Sequence, residues 1–167
     1  MRDGLKLQTL ENDSMQILLA EDDRASRLVL EAILKKAGYE VMATSNGREA
    51  WEVMQGESPP LLAIVDWMMP EMNGVEFSRK VRASATLSFT YIIFLTGKRQ
   101  KDDCLTALGS GADDYIRKPF DREELLARLR AAERIIKLQS SQAIQVKELN
   151  QALSKIKTRQ GRTEKTW

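Results

Sequence analysis

Four short apolar runs along the chain each end on polar residues. Met15 to Ala20 runs into Glu21-Asp22-Asp23, and Leu61 to Val65 closes on Asp66. Tyr91 to Leu95 ends at Thr96, and the brief Tyr115-Ile116-Arg117 ends at Lys118-Pro119. Near-continuous apolar runs mark strands buried on both faces, as in a parallel sheet. Glu40 to Thr44 adds a fifth segment of strand length. The intervening segments carry helical spacing. Arg24 to Lys36 places Ala25, Leu28, Val29 and Ala32 on one stripe, with Gly38 as a left-handed stop. Asn46 opens a second helix with Glu49 at the capping-box offset, and Gly56 ends it. Ser58-Pro59-Pro60 turns into the Asp66 strand. Asn73 and Glu76 form another box before Phe77 and Val81. A weaker helix spans about Lys101 to Leu108, and Asp121 with Glu124 starts the last one. Five strands alternating with five helices predict an α/β fold, a doubly wound five-stranded parallel sheet with right-handed crossovers.

The last helix has no evident stop. From Asp121 to Thr158 the chain contains neither proline nor glycine. Leu125, Leu126, Leu129 and Ala132 suit packing on the sheet, but beyond Leu138 no sheet is left to cover. A continuous helix there is about 55 Å long at 1.5 Å per residue. Val146, Leu149, Leu153 and Ile156 fall in a 3-4-3 pattern, an a/d seam over two heptads. Gln139 and Gln142 continue the register with polar residues and weaken it. The chain thus divides into a polar tail at 1–14, a domain at 15–138, a coiled-coil-like helix extension at 139–157, and a basic, polar tail at 158–167 that is expected to be disordered.

Ligands bind outside the carboxyl ends of strands in open α/β sheets. There the sequence gathers Asp22, Asp23, Asp66, Thr96 and Lys118, a set suited to metal-dependent phosphate chemistry. The three aspartates together carry three negative charges when ionised, and like charges raise one another's pKa unless a cation intervenes. All-oxygen ligation favours Mg²⁺ or Mn²⁺ over zinc. The chain has no histidine, which excludes histidine metal sites, Ser-His catalysis and a histidine phosphocarrier role within it. Its single cysteine, Cys104, forms no internal disulfide and reads as a structural thiol in a helix. A net charge of +2 argues neither for nor against nucleic acid. No apolar stretch approaches the roughly 20 residues of a membrane helix. Met1 to Ser14 lacks a signal-peptide core, so a cytoplasmic location is expected.

These residues resemble the receiver domain of two-component response regulators. The matching pieces are Glu21-Asp22-Asp23, then Asp66-Trp67-Met68-Met69-Pro70-Glu71-Met72-Asn73-Gly74, then Leu95-Thr96-Gly97, then Gly111 to Phe120 with Lys118-Pro119. Their order and spacing agree with the family over about 15–138. The resemblance implies a flavodoxin-like fold of the receiver type. It makes Asp66 the phosphoacceptor, taking a phosphoryl group from a sensor histidine kinase or a phosphotransfer protein. It implies Mg²⁺ (or Mn²⁺) held by Asp22, Asp23, Asp66 and the backbone carbonyl of Met68, with Asp23 a direct ligand. Lys118 pairs with the phosphoryl oxygens, Thr96 hydrogen-bonds one of them, and Tyr115 is the aromatic switch. Such a chain is a signalling domain rather than an enzyme, at most catalysing its own phosphorylation and dephosphorylation. Gly97 stands where the family commonly has alanine, and Met68 and Lys98 occupy the two variable positions beside the site.

The output is less marked. About 29 residues follow Leu138, too few for a winged-helix or helix-turn-helix module, and no Arg/Lys stripe marks a nucleic-acid face. The expectation is a receiver that homodimerises through Val146, Leu149, Leu153 and Ile156 and engages an unknown downstream protein. The alternatives are an unphosphorylated receiver-like scaffold, a dimerising regulatory fragment of a longer diguanylate cyclase or kinase-type protein, and a flavodoxin-like binding module.

Overall fold

The computed structural model describes residues 14–97 and 109–163. Five parallel strands form one sheet: β1 (Gln16–Ala20), β2 (Glu40–Thr44), β3 (Leu62–Asp66), β4 (Tyr91–Thr96) and β5 (Asp114–Arg117). Their order across the sheet is β2-β1-β3-β4-β5. The chain runs outward from β1 to β2 and then crosses back to β3, so strand order reverses between β1 and β3. The described helices are α1 (Arg24–Lys36), α2 (Gly47–Met54), α3 (Gly74–Ala83) and α4 (Arg122–Thr163). The weak helix expected near Lys101 to Leu108, Cys104 and the tail at 1–13 lie outside the described residues.

Local chemistry sets most of these boundaries. Asn73 closes a full capping box on α3, its side chain accepting from the Glu76 N–H at 2.9 Å while Glu76 accepts from the Asn73 N–H at 3.0 Å. On α2 the box is shifted. Asn46 accepts from the Glu49 N–H at 2.8 Å, but the Glu49 carboxylate reaches one residue further back, to the Ser45 N–H at 2.9 Å. Gly38 follows α1 with φ +96°, the left-handed conformation that ends a helix most easily with glycine. Asp121 caps α4 through the N–H groups of Glu123 and Glu124.

Strands β1, β3 and β4 are buried almost throughout, as their composition requires. Helix α1 corrects the sequence expectation. Its buried residues are Leu30 and Leu34, whereas Leu28 and Val29 are 55% and 56% exposed. The helix carries two apolar stripes, and the sheet takes the one at i, i+4 spacing through Leu30 and Leu34. Arg82 on α3 ties the far edge of the sheet together. Its guanidinium donates to the carbonyls of Gly111, Ser88 and Thr90 at 2.6–2.9 Å and to the Asp113 carboxylate at 2.7 Å. Asp113 in turn accepts from the Ile92 N–H at 2.8 Å.

Two compact units divide α4: one closes at Ala132, and the helix from Glu133 onward belongs to the other. Within the first, Leu125, Leu129 and Ala132 are fully buried. Helical structure continues to Thr163, past Lys157 and through Gly161, where a disordered tail was expected. Without a proline, each added residue gains a helical hydrogen bond, and one glycine costs only about 1 kcal/mol.

Candidate metal and phosphoryl site

Register brings the site residues together. Ala20 lies opposite Val65 in the β1·β3 ladder, so the next residues, Glu21 and Asp66, emerge side by side at the reversal point of the sheet. On the other flank Thr96 ends β4 opposite Arg117 of β5, and Lys118 follows directly. The Lys118 backbone N–H donates to the Thr96 carbonyl at 2.6 Å, and the Lys118–Pro119 peptide is cis. The lysine side chain crosses back over the strand ends. Its Nζ donates to Glu21 Oε2 at 2.5 Å and to Asp66 Oδ2 at 3.0 Å.

Glu21 is fully buried and Asp66 nearly so. Burial, reinforced by the neighbouring Asp66 and opposed by Lys118, pushes the Glu21 carboxyl from 4.5 up to about 7. Burial alone lowers the pKa of the Lys118 ammonium, but hydrogen bonds to Glu21 and Asp66 outweigh it and the net shift is upward. Two of the carboxyl groups gathered here, Glu21 and Asp66, share this one ammonium.

Among the described residues, Glu21, Asp22 and Asp66 form a trio whose carboxylate oxygens lie within 4.8 Å of one another. This differs by one residue from the expected trio of Asp22, Asp23 and Asp66. The Asp23 carboxylate caps α1, its Oδ2 accepting from the Ser26 N–H at 2.7 Å, and that hydrogen bond holds its pKa below the usual value. Glu21 is not among the expected site residues, although it opens the acidic triplet that follows the first apolar run. The useful signal was the helix start: an aspartate directly before Arg24 is a favoured N-cap, which leaves Glu21-Asp22 for the site. Arg27 holds this turn by donating to the carbonyls of Glu21 at 2.7 Å and Asp22 at 3.3 Å.

The other expected residues lie nearby or apart. Asp66 Oδ1 accepts from the Met68 N–H at 3.4 Å, and the Met68 side chain is exposed. Thr96 is buried at the end of β4. Tyr115 on β5 is half-buried, with the Arg117 guanidinium 6.0 Å from its ring centre. Among the described residues, a side chain added at Gly97 meets no atom within 4 Å. Val146, Leu149, Leu153 and Ile156 sit on the exposed part of α4.

The donor set fits a hard divalent cation. It is all oxygen, and its three carboxyl groups carry more formal negative charge than the one Lys118 ammonium offsets. Among the described residues no helix is long and apolar enough to cross a membrane.

Fold and site together define a doubly wound α/β module with an acidic, metal-competent edge at the reversal point of its sheet. Residues 17–130 match the response regulator receiver domain, and the chain belongs to that family, the receivers of two-component response regulators. It is similar to the phosphate regulon transcriptional regulatory protein PhoB of Pseudomonas aeruginosa, 37% identical over 115 residues that cover 69% of this chain and 50% of that protein. It is also similar to the chemotaxis protein CheY1 of Helicobacter pylori, 35% identical over 69% of this chain and 94% of that protein. The solved structure of the chemotaxis response regulator CheY4 of Vibrio cholerae superposes with a TM-score of 0.66 at 32% identity, covering 71% of this chain and 98% of that one. The chain spans about half the length of several of the curated relatives it matches.

Proposed function

We propose that this chain is a phosphoacceptor receiver that takes a phosphoryl group on Asp66. The observation that carries the reading is the place of Asp66: buried at the end of β3, 3.0 Å from Lys118 Nζ and grouped with Glu21 and Asp22. An Asp66 carboxylate oxygen attacks the phosphorus of a phosphohistidine on a sensor histidine kinase or phosphotransfer protein. The O–P bond forms, the N–P bond breaks, and the imidazole leaves with the electron pair. The product is an acyl phosphate on Asp66. Transfer of this kind needs in-line positioning and charge neutralisation more than covalent assistance. Lys118 neutralises part of that charge and follows the phosphoryl oxygens.

Asp22 and Asp66, with the Met68 backbone carbonyl and Glu21 close by, would hold Mg²⁺ (or Mn²⁺), and Asp23 is reassigned to the helix cap. A cation held there would supply the remaining positive charge against the phosphoryl oxygens. The Thr96 hydroxyl donates to one of those oxygens, and Tyr115 moves with it, altering the surface around β5 and the start of α4. Beryllofluoride in place of the phosphoryl group tests the switch by amide chemical shifts. Shifts confined to residues touching Asp66 reject it. Intact-mass analysis after incubation with Mg²⁺ and a small-molecule phosphodonor tests the acceptor itself.

The output runs through protein contacts. Val146, Leu149, Leu153 and Ile156 are 58%, 62%, 48% and 52% exposed at 3-4-3 spacing along α4. A second copy of this helix covers that stripe in a parallel dimer.

A further inference from the structure

We infer that Gly47, in the first turn of α2, is a positioning residue for the loop that carries the phosphoacceptor. The inference rests on the phosphoacceptor reading of Asp66. Between β3 and α3 the chain makes a tight turn in which the Met72 N–H donates to the Pro70 carbonyl at 2.8 Å. Its central residue, Glu71, has φ +65°. A three-residue turn with a non-glycine residue at positive φ is strained, and such strain persists only where the surroundings over-determine it.

Two close backbone approaches do so. On one side the Gly74 N–H donates to the Trp67 carbonyl at 3.0 Å, and a Cβ added at Gly74 would lie 2.7 Å from the Asp66 carbonyl oxygen. On the other side α2 presents Gly47. A Cβ added there would lie 2.8 Å from the Met72 carbonyl carbon and 2.9 Å from its Cβ, with the carbonyl oxygen closer still. No rotamer change relieves an overlap with backbone. Gly47 is buried and is not among the glycines at positive φ, so space rather than conformational freedom demands a glycine here.

The wall that Gly47 belongs to is itself braced. Asn46 and Glu49 fix the start of α2, and Lys80 of α3 lies over the Trp51 ring at 5.4 Å. The Met72 carbonyl therefore has a fixed backstop. Any residue with a side chain at Gly47 drives the turn outward, carrying with it the Met68 backbone and the Asp66 carboxylate at the loop's origin. The metal and phosphoryl group lose their geometry, although neither touches Gly47.

The test compares the full-length parent with Gly47→Ala and with Leu34→Ala, which truncates a buried α1 side chain away from this loop. Mg²⁺ affinity is read by amide-shift titration, acyl-phosphate formation by intact mass, and stability by thermal melting. Gly47→Ala should lower Mg²⁺ affinity and the initial phosphorylation rate by about 10–100-fold, the range for residues that orient metal ligands. Leu34→Ala should lower the melting temperature and leave both unchanged. Parental affinity and rate in Gly47→Ala, or equal losses in Leu34→Ala, overturn the inference. A parent that gains no phosphoryl group removes the phosphoacceptor reading, and this inference with it. Should Gly47→Ala fail to fold, Gly47→Ala with Met72→Gly frees the turn to move aside. That double variant should fold and still bind Mg²⁺ weakly, and recovery of parental affinity contradicts the proposal.

Discussion

Lys118 lies nearer to Glu21, at 2.5 Å, than to Asp66, at 3.0 Å. The buried glutamate thus holds the lysine over the strand ends while Asp66 shares it. The nearer partner of Lys118 is a residue one position away from the expected acidic pair.

Glu21 should leave a signature in the pH dependence of stability. Its carboxyl titrates near 7 in the fold against 4.5 ordinarily. Between those values the folded protein holds a proton that the unfolded chain has lost. The stability from this group is therefore full below 4.5 and declines as pH rises through about 7. With divalent ions chelated, Glu21→Gln should melt above the parent at pH 8 and converge with it near pH 4. Parallel melting curves across that range would remove Glu21 as the cause.

Asp22 and Asp23 should separate cleanly. Asp22→Ala removes a carboxylate from the trio and should abolish measurable Mg²⁺ binding at affinities the parent shows. Asp23→Ala removes the α1 cap and should lower stability modestly, with Mg²⁺ affinity largely kept. Urea unfolding and a Mg²⁺ titration on each variant check this. The reverse pattern restores the assignment expected from the sequence.

Arg82→Ala should be among the more damaging single changes away from the site. The guanidinium satisfies three carbonyls and one carboxylate, and truncation strands them in a partly buried corner. A loss of about 2–4 kcal/mol follows from leaving such groups unpaired. Denaturant titration measures it, and a change below about 1 kcal/mol would show that water replaces the arginine at little cost.

The legible parts of this fold were those written locally. The limits of α1, the Asn73 box and the four strand ends follow from spacing and capping chemistry within a few residues. What failed needed partners distant in sequence. Ala25, Leu28, Val29 and Ala32 have helical spacing, but periodicity does not say which of two stripes faces a sheet, and Leu30 and Leu34 do. The pairing of Glu21 with Lys118 spans the whole domain. Arg82 at Gly111 and Gly47 against Met72 are contacts between elements, with no motif to announce them. An acidic triplet offers two adjacent pairs, and the choice between them depends on where β1 ends; in the structure Asp23 caps α1 and Glu21 and Asp22 lie with Asp66.

The α4 stripe predicts association. Light scattering should give a dimer for the full chain and a monomer for a chain ending near Leu138. A monomer in both, with and without beryllofluoride, rejects the helix pairing. A dimer that survives truncation places the contact on the receiver.

The central claim rests on one carboxylate, and intact mass tests it most directly. After incubation with Mg²⁺ and a small-molecule phosphodonor, the parent should gain one phosphoryl group that hydroxylamine removes, and Asp66→Asn should gain none. An unmodified parent, or the same adduct on Asp66→Asn, would contradict the account.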